Sequence, residues 1–167
     1  MNFFHHSSTW IKGELLEAIL IASFGILTMV SGFLFWKLGT TPNSKALLIP
    51  LSVTGIIYSA IGVSMLVSNN KRLVSFEKSY RQDERAFVLS EQKRVEGFQY
   101  GYTISKIVAS VFFPLTLLLF WWSKSPQVQG WGIGLALFAL AGLVVDYFSQ
   151  ERADTYYRAI LEVLRMN

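Results

Sequence analysis

Four long apolar runs alternate with polar segments along the chain: Leu15 to Trp36, Ala46 to Val67, Ile107 to Trp122 and Trp131 to Val145. The first carries one charge, Glu17, close to its start. At roughly 22 residues and ~1.5 Å per residue it reaches about 33 Å, enough to cross a bilayer core. A secretory signal has an apolar stretch of only about 7–15 residues before small residues. This run instead ends in Phe33, Leu34, Phe35, Trp36 and Lys37, so it reads as a retained helix. The last two runs are short against the ~20 residues a span needs. They are completed by Thr103 to Lys106 and by Asp146 to Phe148, which predicts helices that continue past the membrane without a break. The expected spans are 15–36, 46–67, 104–122 and 131–148.

The segment RQDERAFVLSEQKRVEGFQYGY, residues 81–102, is charged but not patternless. Phe76, Tyr80, Phe87, Glu91, Val95 and Phe98 recur mostly at three, four or seven residues, an amphipathic helical stripe. Asp83 followed by Glu84 suits a helix N-cap, so a turn is expected there, within a helical hairpin over about 69–103. A second stripe, with Ala153, Tyr156, Ile160 and Leu164, predicts an amphipathic helix over about 149–166. The fold class this predicts is all-α: one polytopic membrane domain over 1–167, four transmembrane helices and helical cytoplasmic extensions. The two stripes are expected to face each other as a small cap.

Composition agrees with that class. Hydrophobic residues make up 52% and charged residues 16%, against about 25% charged in ordinary soluble domains, and mean hydropathy is +0.39. The absence of cysteine excludes disulfides, thiolate metal sites and a cysteine nucleophile. The turns that follow Trp36 and Trp122 hold three of the fifteen Lys and Arg residues, Lys37, Lys45 and Lys124; the other twelve lie with the chain ends and the 70–106 region. By the positive-inside rule both termini and the hairpin are cytoplasmic, and a bacterial inner membrane is the expected site. The net charge of +4 reflects those loops rather than a nucleic-acid surface.

Candidate chemistry is sparse. Asp146, with Tyr147 and Glu151 nearby, is the candidate polar site, because an intramembrane carboxylate needs an explanation; its simpler reading is a boundary charge paired with Lys106 or Arg152. Lys71, Arg72, Lys93 and Arg94 are candidates for binding lipid headgroups. Ser52, Gly55, Ser59 and Gly62 form a small-residue row, and Gly130 and Gly134 a GxxxG pair, both suited to close helix packing. His5 and His6 read as a frayed terminus. No catalytic residue, metal ligand set or cofactor motif is assigned.

The function expected from these features is a non-catalytic membrane interaction protein, an accessory, regulatory or immunity-type subunit. Phe76, Tyr80, Phe87 and Phe98 are the expected partner-binding side chains, and the partners are the lipid bilayer and a protein partner or second copy, with no nucleic acid. Two alternatives remain: a small oligomeric channel or transporter with Ser52, Tyr58 and Ser59 on its pore, and a membrane enzyme acting on a lipidic substrate at the inner interface around Asp146.

Overall fold

A computed structural model describes residues 3–166, and among them all regular structure is helical. Helix α1 spans Phe3–Leu38, a short turn α2 spans Pro42–Ala46, and three long helices follow: α3 (Leu48–Gln82), α4 (Glu84–Trp122) and α5 (Pro126–Met166). Each of the four long helices contains an 18-residue window apolar enough to cross a membrane. The junctions follow local chemistry. Thr41 Oγ1 accepts from Ser44 N at 3.2 Å, with Pro42 at the first helical position of α2. Asp83 alone separates α3 from α4; its extended backbone breaks the helix, and its Oδ1 accepts from Ala86 N at 2.9 Å. The turn thus falls where the sequence predicts it.

The four long helices run up and down, α1 packed along α3 and α4 along α5, with α5 also reaching α1 and α3. Close approach in the apolar half depends on small residues. A Cβ on Gly25 would stand 2.6 Å from the Gly55 carbonyl oxygen, and one on Gly62 would stand 2.7 Å from that of Ala18. The backbones of α1 and α3 therefore touch, as packing in lipid favours. Gly134 meets Pro50 Cβ in the same way at 2.7 Å. Thr54 Oγ1 donates to the Gly134 carbonyl at 3.3 Å and Thr116 Oγ1 to that of Gly132 at 3.2 Å.

At the charged end, packing changes character. Phe3, Trp10, Ile11, Phe76, Phe87 and Tyr156, from all four long helices, belong to one buried aromatic-rich cluster with Val88, Val95 and Ile160. The predicted stripes do face one another. The N-terminal end of α1 is a correction: His5 and His6, expected in a frayed terminus, lie within the helix, whose first turns supply Phe3, Trp10 and Ile11 to that core. Phe3, Ser7, Trp10, Ile11 and Glu14 recur at three and four residues and so share one buried face. Helix α3 itself begins at Leu48, after the α2 turn.

Candidate functional site

The buried polar residues of the charged end are built around Trp10. Its indole stacks on Tyr156 with ring centroids 5.2 Å apart and on Phe98 at 6.2 Å, and the Arg94 guanidinium lies 4.4 Å over its ring. Arg94 Nε donates to Glu91 Oε1 at 2.9 Å, and its Nη2 also pairs with Glu91 Oε2. The Tyr156 hydroxyl donates to that same Glu91 Oε2 at 2.9 Å and lies 2.8 Å from Ser7 Oγ. Glu91 is almost wholly buried, so these partners offset a desolvation that would otherwise be severe. Burial, and then the Glu91 charge, push the Tyr156 phenol above its ordinary value. The hydroxyl stays protonated and keeps its role as donor.

A second charge cluster joins α1 to α5. Arg152 Nη2 donates to Glu14 Oε1 at 3.1 Å and also pairs with Glu17 Oε2. Both carboxylates are buried, and one atom of each partner is left over: Glu17 Oε1 and Arg152 Nε are buried without a hydrogen-bond partner, as is Trp10 Nε1. Such orphaned atoms are uncommon and costly.

Their residues line two adjoining cavities, Glu17 and Arg152 one, Trp10 and Arg152 the other. Between α1 and α5 runs an apolar groove of about 700 Å³ whose walls include Leu20, Phe24, Leu137, Ala141 and Val144, with Tyr58 among its lining side chains. Glu17 and Arg152 also line it. On the far side of Arg152 is a polar chamber of about 360 Å³, lined by His5, His6, Thr9, Trp10, Glu151 and Thr155 among others. Arg152 lines both, so it stands where the apolar groove meets a chamber whose walls carry more of the polar groups.

The expected site residues fall differently. Phe76 and Phe87 are only 7% and 5% exposed, and Tyr80 and Phe98 pack against the same core; their rings are occupied within the chain because α1 contributes a fourth wall. Of the four expected headgroup ligands, Lys71 and Lys93 are exposed. Arg72 turns inward, its Nη1 donating to Asn69 Oδ1 at 3.1 Å, and Arg94 is held by Glu91. The reason is register: Arg72 precedes Phe76, and Arg94 precedes Phe98, by one helical turn. Burial, with Arg94 next, lowers the Arg72 pKa from its ordinary value.

Asp146 stands among Ser105 and Lys106 of α4, with one carboxylate oxygen buried and unpaired. Tyr147 is 68% exposed and Glu151 lines the polar chamber, so the trio is not brought together. Lys106, beside Asp146, donates its Nζ to Gln150 Oε1 at 3.0 Å, and Arg152 pairs with Glu14 and Glu17. Ser59 is packed against Gly25, and the Tyr58 hydroxyl donates to the Phe138 carbonyl at 2.6 Å. Both side chains therefore serve helix packing in this fold.

Sequence reasoning passed over Trp10, Glu14 and Arg152 as site residues. The signal was present in the spacing: Arg152, Tyr156 and Ile160 are successive turns of one face, as are Trp10, Glu14 and Glu17. No family model matches the chain, and no curated protein or solved structure matches it.

Proposed function

We propose that this chain is a non-catalytic integral membrane interaction protein, an accessory or regulatory subunit that crosses the bilayer four times with both ends and the α3–α4 turn in the cytoplasm. The exposed rings at the opposite end, Trp36, Trp121, Trp122 and Trp131, beside Lys37 and Lys124, fit the headgroup level of the outer leaflet. The observation that carries the reading is a bare face on α4. A Cβ on Gly97 or on Gly101 would meet nothing within 4 Å, and Tyr100 between them is 71% exposed. Ile104, one turn on, is exposed too. A small-residue helix face with an aromatic beside it, at the inner boundary, suits close approach by a helix of a partner membrane protein.

The interior supports the same reading. Its buried charges are paired within the chain, Glu91 with Arg94 and Tyr156, and Glu14 and Glu17 with Arg152. That pairing suits a rigid scaffold that presents its outer surface.

Two experiments test the proposal. Because the chain has no cysteine, single cysteines at Lys93 and Lys124 report topology directly. Labelling of both from the same side of oriented vesicles would overturn the four-span arrangement. A photo-crosslinking amino acid at Tyr100 in native membranes is expected to give one discrete adduct, lost when Gly97 and Gly101 are replaced by leucine. Crosslinks to lipid alone would remove the protein partner.

A further inference from the structure

The cleft between α1 and α5 lies away from the bare α4 face, and the partner reading makes no use of it. Its two compartments differ in chemistry and meet at one guanidinium, which is the profile of an amphiphile. We infer that the cleft is a binding site for a single zwitterionic aminophospholipid, with one acyl chain in the apolar groove and the headgroup in the polar chamber beside Arg152.

The dimensions fit one chain. The groove follows α1 from Gly13 to Phe24, which at ~1.5 Å per residue is about 16 Å. The hydrocarbon of one leaflet is about 15 Å deep, half of a ~30 Å core. Its volume of about 700 Å³ lies within the usual range of ligand sites. The rim residues Leu16, Leu20, Leu140 and Val144 are exposed, so the groove opens sideways and a second acyl chain stays in the bilayer.

The headgroup follows from the unpaired atoms and the charge. Trp10 Nε1 and Arg152 Nε are buried donors without acceptors, and Thr9, Thr155 and two histidines add donors around the chamber. A phosphate supplies the missing acceptors. Yet the site is not cationic: Glu17 and Glu151 line the cleft against one Arg152, and Glu14 also holds that guanidinium. A ligand with a net negative charge would be repelled there. A headgroup that carries its own ammonium brings no net charge and offers N–H donors to Glu151 in the chamber. The Arg152 side chain, 34% exposed, lines the chamber and faces the phosphate there. A quaternary ammonium has no N–H to give, so a choline head is the poorer ligand.

The test is native mass spectrometry of the detergent-solubilised full chain titrated with dioleoyl phosphatidylethanolamine, phosphatidylglycerol and phosphatidylcholine. One retained phosphatidylethanolamine per chain is expected, favoured roughly tenfold over each of the others, the scale of one charge-assisted hydrogen bond. Ala141→Trp fills the groove and should abolish retention. Thr155→Trp, at an exposed position on the chamber wall, should leave a lipid bound but flatten the headgroup preference. Equal retention of all three lipids by the wild-type chain, a preference for phosphatidylglycerol, or retention indifferent to both variants would each overturn the site. If Ala141→Trp does not fold, the wild-type ranking and Thr155→Trp still decide.

Discussion

Helix α1 treats its two neighbours in opposite ways. Toward α3 it presents Ala18, Ala22, Gly25 and Gly32, and the backbones touch. Toward α5 it presents Leu16, Leu20 and Phe24, and the helices stand apart over a groove of about 700 Å³. Helix α5 is held at both ends of that groove, by Gly130 and Gly134 against Ala46 and Pro50, and by Tyr156 in the aromatic core. In lipid, where burial of apolar surface gains nothing, a gap between large side chains has no strong tendency to close. Small residues make a seal, and large ones between two fixed points leave room for a ligand.

The comparison is broken most severely at the seal. Gly62→Leu would drive a side chain into the Ala18 carbonyl and the Ala22 Cα, backbone atoms that cannot yield. A loss of about 3 kcal/mol or more is expected, read as unfolding at lower denaturant in micelles. Phe87→Ala tests the aromatic end: it removes a ring that stacks edge-on against Phe76 at 5.0 Å and Phe3 at 6.1 Å, and about 3 kcal/mol should be lost. Full stability in that variant would show that the four helices do not close there.

Arg152→Met strips Glu14 and Glu17 of their cation. The cost should be about 2–3 kcal/mol, below that of a wholly buried pair because a third of the Arg152 side chain is in solvent. Adding Glu14→Gln and Glu17→Gln to that variant should restore most of the loss; no recovery would show that the arginine acts through packing alone. The smallest effect has the opposite sign. Gly97→Ala, on the bare face of α4, meets no atom within 4 Å and should raise thermal stability by up to ~1 kcal/mol through helix propensity.

Much of this protein can be read from its sequence, and the rest divides along a physical line. The helical periods, the apolar lengths and the Asp83 break are properties of each segment alone, so they were legible one element at a time. The two stripes, Phe76, Phe87 and Val95 in one and Tyr156 and Ile160 in the other, were legible for the same reason. What covers those stripes is a relation between segments distant in the chain, and residues 3–14 proved to be one wall. Arg94 and Arg152 illustrate the point: by charge they belong to a solvated surface, yet register turns them inward onto Trp10, Glu91, Glu14 and Glu17. Composition and periodicity fixed the helices and their greasy lengths; only the assembled bundle decided which carboxylates share an arginine and where two helices part. Hydrogen-bond pairing and cavity shape depend on the simultaneous position of groups on several helices, and no single segment encodes that.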